Sequence, residues 1–233
     1  MRFSRKLYGV MLALLLFAGS PAAAVADLYW ESVQVNRGIP GLIDGQHVLK
    51  TYLTAKACRV ETGREVLIFD FTLRLVYQLE PGPQTYTKLT LAALGAVPAL
   101  PGVESETVQD LMNRFLGGVQ VIPTREEKTV SGHRCRKFLF SFMLIRGEVW
   151  ASKQVKAFPE FIRNGQIMAQ VLRDSPLLQS MDFAGMLGQL DGFPVEVIFF
   201  MAGGHSTTTL KKIEQRPLEP DLFQVPRGYS LRH

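Results

Sequence analysis

The sequence predicts an α+β fold: a large, curved antiparallel β-sheet of about ten strands, with helices covering its concave face. Three observations carry this expectation. Short alternating runs of apolar and polar residues recur roughly every ten positions, joined by Gly-, Pro- and Asp-rich turns. Apolar residues at helical spacing are confined to two blocks, one mid-chain and one before the last two strands. No internal repeat, low-complexity tract or linker divides the chain, so one domain is expected over residues 27–233.

Residues 1–26 read as a secretory signal peptide. Arg2, Arg5 and Lys6 form a positive start, Leu7 to Phe17 is an apolar run of 11, and Ala24-Val25-Ala26 is a small-x-small cleavage site. The apolar run is too short for a spanning helix, and Gly19, Ser20 and Pro21 break its continuation. Cutting after Ala26 lowers the net charge from +5 to +2. With no Lys/Arg block interleaved with aromatics, nothing points to a nucleic-acid partner. A periplasmic location follows.

The mature chain opens with "DLYWESVQV", which places Leu28, Trp30 and Ser32 on one face and Tyr29, Glu31, Val33 and Val35 on the other. After the turn-rich "RGIPGLIDG" come "QHVLKTYLTA", "KACRVE", "REVLIFDF", "LRLVYQLE" and "QTYTKLT", a meander of short strands. From Leu89 the pattern turns helical. Pro98 and Pro101 interrupt it, Ser105 is placed to cap a helix carrying Val108, Leu111, Met112 and Phe115, and Gly117-Gly118 stops that helix. Strands resume with "PTREEKTVSG", "HRCRKFLFSFMLI" and "GEVWASK"; the apolar run in the second of these implies burial on both faces. Residues 158–190 return to helix, with Pro176 as a break. "FPVEVIFFMAG" and "HSTTTLKKIEQR" then form a hairpin turning at Gly203-Gly204.

The second helical block is the candidate lid over the concave face. Met168, Leu172, Met181, Phe183, Met186 and Leu187 are expected to touch whatever fills that face. Methionine packs adaptably, and Pro176, Gly185 and Gly188 let the segment shift. Ordinary core filling by the same side chains is the competing reading.

Catalytic chemistry finds little to stand on. His47, His133, His205 and His233 form no HExxH pattern and accompany no G-x-S-x-G elbow. "GGHSTTT" leads into a strand rather than a helix, so it is a turn and not a phosphate cradle. Asp70 is best read as a turn residue, and "REEK" as a solvated strand edge. No cofactor or metal site is expected, and no enzymatic activity. The two cysteines, Cys58 and Cys135, lie in separate strands of an exported chain, which favours one disulfide between them; they lack metal-ligand spacing.

In order, "DLYWES", "YLTAKACRVE", "LVYQLEPGPQTY", "VSGHRCRKFLF", "GEVWASK", "GFPVEV" and the ending "LEPDLFQVPRGY" resemble an uncharacterised family of bacterial exported proteins in the LolA/LolB-like superfamily, the lipoprotein-localisation fold. The resemblance covers nearly the whole mature chain. It implies an eleven-stranded half-barrel with an apolar cavity, so about 10–11 strands in all. It also implies a lipid, an acyl chain or a lipoprotein as partner, with peripheral contact to membrane or envelope proteins. The proline-studded tail reads as a clasp: Pro220 starts a turn that Asp221 can cap, Leu222 and Phe223 enter the core, and Tyr229 packs back. Function is therefore expected to be that of a hydrophobic-cavity carrier, chaperone or sensor. The alternative is an envelope interaction module whose cavity is filled by its own helices.

Overall fold

The computed structural model describes residues 26–39, 43–93, 120–142, 145–173 and 183–232. Among these, twelve strands make one open sheet. They are β1 (Leu28–Arg37), β2 (Gly45–Leu53), β3 (Ala57–Glu61), β4 (Val66–Asp70), β5 (Leu75–Glu80), β6 (Thr85–Thr90), β7 (Gln120–Val130), β8 (His133–Phe142), β9 (Ile145–Ser152), β10 (Phe193–Met201), β11 (Gly204–Gln215) and β12 (Ser230–Leu231). Their order is β12-β6-β5-β4-β3-β2-β1-β11-β10-β9-β8-β7. Every pair is antiparallel except β12 beside β6. The first strand thus sits mid-sheet, between one meander running to β6 and another running back from β7. Two helices, α1 (Phe158–Leu172) and α2 (Phe183–Gln189), cover one face.

Register explains the alternation seen in the sequence. Leu28 lies opposite Leu53, Leu53 opposite Cys58, Cys58 opposite Phe69, Phe69 opposite Val76, and Val76 opposite Leu89. Residues directly opposite share a face, so this row runs across six strands on the helix-covered side. The next row, Trp30, Thr51, Val60 and Leu67, shares that face. Irregularities at Glu31/Ser32 on β1, Pro194/Glu196 on β10 and Pro123/Glu127 on β7 bend and twist the sheet.

Helix α1 starts with Pro159 in its first turn, where a missing N–H costs nothing. Glu160, also in that turn, suits the positive end of the helix. Phe161 packs on Trp30 (ring centres 6.1 Å apart, edge-on) and on Phe193 (4.8 Å). A second cluster joins Val121, Phe138, Val149 and Ala151 of the sheet to Leu187 and Leu190, with Ile162 and Met186 against it.

The tail answers its own punctuation. Pro220–Phe223 forms a single 3-10 turn, and Phe223, Val225 and Tyr229 pack on Val66, Ile68 and Leu79. That is the face of β4 turned away from the helices. "VLIF" is continuously apolar because both of its faces are covered, Leu67 and Phe69 on one side and Val66 and Ile68 under the tail. The tail ends as β12, and the Ser230 N–H donates to the Gln84 carbonyl at 3.0 Å.

The strand total exceeds 10–11 because the two-residue β12 pairs in parallel at the β6 edge. Two-sided burial of β8 does not hold: Phe138 is 1% exposed but Leu139 is 40% exposed. Asp221 makes no side-chain cap. The expected Cys58–Cys135 bond is not formed; both are buried free thiols. Strands β3 and β8 lie six places apart in the sheet, so no ladder pairing sets the two cysteines side by side. Curvature brings both thiols into one core cluster, where the Cys135 thiol donates to the His133 carbonyl at 3.4 Å. The helix expected near Val108 to Phe115 lies outside the described residues.

Candidate functional site

Between α1 and the sheet lies a cavity of about 330 Å³. Its floor is built from rows that the register aligns: Trp30 and Ser32 on β1, Thr51 and Leu53 on β2, Cys58 and Val60 on β3, Val195 and Val197 on β10, and Thr208 and Leu210 on β11. Its roof is one side of α1, where Phe161, Gly165 and Met168 are spaced three or four apart and so share a stripe. No charged side chain lines it. The polar side-chain groups of its lining residues are the hydroxyls of Ser32, Thr51 and Thr208, the Cys58 thiol and the indole N–H of Trp30. Burial pushes the thiol up to about 12, so it stays neutral.

Gly165 has a second role. A Cβ there would stand 2.4 Å from Leu187 Cδ1, so the bare backbone is what lets α2 close on α1. Of the expected lid residues, Met168 lines the cavity. Leu187 (2% exposed) and Met186 instead seal the neighbouring cluster over β7 to β9. Met181 lies outside the described residues, as do the side chains of Leu172 and Phe183. The strand residues of the floor were missed from sequence because they converge only once register is known. The alternation around Trp30 was the available signal.

A second cavity, about 460 Å³, opens where the tail passes Asp27, Lys56 and Asp70. Its carboxylates already have structural work. Asp70 Oδ1 accepts the N–H groups of Thr72 (2.9 Å) and Leu73 (2.8 Å), as its reading as a turn residue requires. Asp27 Oδ2 accepts the Leu218 N–H at 3.0 Å. On the sheet, Lys128 pairs with Glu196, and Lys137 with Glu148 at 2.9 Å. Histidines 47, 133 and 205 sit on three different strands. Among the described residues, no three His, Cys, Asp or Glu side chains gather as a metal site, and no helix is long and apolar enough to cross a membrane.

The family model described as a domain of unknown function (DUF4412) matches residues 44–229. The chain belongs to this family. The expected membership of an uncharacterised family is thereby met. None of the curated proteins matches the chain. Among solved structures, an uncharacterised conserved protein from Thermus thermophilus is similar at TM-score 0.50 and 10% identity, over 89% of this chain and 90% of that one. At that identity the likeness is one of fold. The LolA superfamily protein NE2245 from Nitrosomonas europaea is similar at TM-score 0.34 and 9% identity, over 85% and 90% of the two chains. PNGF-II is similar at TM-score 0.39 and 12% identity, over 88% of this chain but 30% of its own. The chain thus spans about a third of that larger protein.

Proposed function

We propose that the chain is a periplasmic binding protein that takes an acyl chain, as free lipid or as part of a lipidated cargo, into the cavity beneath α1. The supporting observation is the uncharged lining of that cavity, with Trp30, Val60, Phe161, Met168, Phe193 and Val197 supplying apolar surface and three hydroxyls at its floor. Its 330 Å³ falls at the small end of the roughly 300–1,000 Å³ seen for small-molecule sites. An ionised group inside would lose its hydration with no partner, so the part of the cargo held there is neutral. The role is that of a carrier, chaperone or sensor rather than an enzyme.

The test is native mass spectrometry and lipid extraction of the mature protein, with uptake of a fluorescent fatty acid. The reading expects bound lipid or saturable uptake, weakened roughly tenfold or more by Met168→Glu, which sets an unpaired charge in the roof. Wild-type protein with neither lipid nor uptake would overturn it and leave the self-filled interaction module in its place.

A further inference from the structure

Asn164 is buried in the middle of α1, 0% exposed. Its Nδ2 donates to two carbonyls, Glu160 at 3.0 Å within the helix and Ala26 at 3.1 Å, 138 positions away. Its Oδ1 is buried and accepts nothing. A buried amide with an empty acceptor is costly, and native folds rarely keep one. Ala26 is also the residue after which the signal peptide is expected to be cut.

We propose that Asn164 is the binding site for the α-ammonium group of Asp27, created when the Ala26–Asp27 bond is hydrolysed. Water is consumed in that step. The water oxygen goes to the Ala26 carboxylate, which leaves with the leader, and the Asp27 nitrogen keeps its proton and takes up both protons of the water. Nδ2 then loses the Ala26 carbonyl, and a cationic donor appears one bond beyond where that carbonyl stood. Oδ1 of the same amide is the acceptor it needs.

The new terminus cannot drift away. The Asp27 carbonyl accepts the Arg216 N–H at 3.2 Å, and its carboxylate accepts the Leu218 N–H at 3.0 Å. The next residue, Leu28, is fully buried at the start of β1. The Asp27 carboxylate also supplies a countercharge on the same residue, which offsets the cost of enclosing an ammonium. In the folded chain the carbonyl of the bond to be cut is itself held by Asn164, so cutting precedes docking. This inference rests on the leader reading and is independent of the cargo.

The experiment uses exported, processed protein. Its intact mass reports the cut, and acetylation by an N-hydroxysuccinimide ester reports the docking. The expected result is a chain beginning at Asp27 whose α-amine is acetylated at least roughly tenfold more slowly when folded than when unfolded in urea. Asn164→Ala should restore the fast rate in a chain shown by circular dichroism to be folded, with Asn164→Ser as the substitute if Asn164→Ala does not fold. Asn164→Asp should keep the protection. A mature mass that does not begin at Asp27 overturns the proposal through its leader premise. A correct mass with fast acetylation of the folded wild type, or continued protection in a folded Asn164→Ala chain, overturns the docking itself. Fatty-acid uptake is not expected to follow either result.

Discussion

The guanidinium of Arg59, on β3, donates from Nη1 to the carbonyl oxygen of Leu222 at 2.9 Å, tying positions 163 apart. Its Nε meanwhile pairs with Glu61 at 2.7 Å, which fixes the side chain. The tail is therefore fastened to the sheet by a charged donor as well as by apolar packing. Arg59→Met keeps the stem and removes the donor. It should cost about 2 kcal/mol, the range for a hydrogen bond to a charged group. The check is urea denaturation, with the midpoint falling at unchanged m-value. A midpoint equal to wild type would show that packing alone holds the tail.

Gly165 and Leu187 make a sign-reversing pair. Gly165→Ala gains about 1 kcal/mol of helix propensity but drives a methyl into buried Leu187, which costs about 1–3 kcal/mol. Net destabilisation is expected. In a Leu187→Ala background, itself about 2–5 kcal/mol less stable, the methyl enters vacated space and Gly165→Ala should stabilise. A double-mutant cycle by thermal unfolding measures this; additive effects would contradict the contact.

Met168 and Met186 should separate binding from stability. Met168→Glu faces the cavity and is expected to reduce probe uptake more than it lowers stability. Met186→Glu packs into the Phe138–Leu187 cluster and should lower stability by a few kcal/mol with little direct effect on uptake per folded molecule. Equal effects on both readouts from both variants would argue against the cavity as the seat of binding.

Alkaline pH should unfold the protein. Cys58 is pushed up to about 12 from 9 by burial, and burial raises Cys135, Tyr52 and Tyr77 too. The unfolded chain then releases protons that the folded chain keeps. Stability is whole below about pH 9 and falls as pH rises towards 12, by roughly 4 kcal/mol for Cys58 alone. Denaturant midpoints between pH 8 and 11 test the slope. Thiol titration should find two thiols in unfolded protein and almost none reactive in folded protein at pH 8.

Much of the fold was legible because single strands carry their own signal. "DLYWESVQV" gave the correct faces for Leu28, Trp30 and Ser32, and Gly203, with its positive φ of 85°, marks the last hairpin as expected. What pairs with what was not legible. Apolar runs look alike whether a helix or a tail covers the second face, so two-sided burial was assigned to β8 when it belongs to β4. A two-residue strand such as β12 is shorter than any period and leaves no trace. Candidate lid residues were chosen from one helical block, and Met168 reaches the cavity. The floor depended on contacts such as Trp30 beside Thr51, which exist only after register is set. Asn164 gave no signal at all, since an asparagine in a helix pattern reads as exposed.

The place of β1 has a consequence for timing. Leu28 pairs with Gln215, and the rest of β1 with the body of β11. A chain emerging N-terminus first therefore exposes one edge of its first strand until nearly all of the sequence has appeared. Folds built on such distant pairings form slowly. The sheet cannot be completed early, so the growing chain stays unlocked over almost its entire length. Moving the chain ends by circular permutation, so that β11 and β1 become neighbours in sequence, should speed refolding while leaving the same sheet.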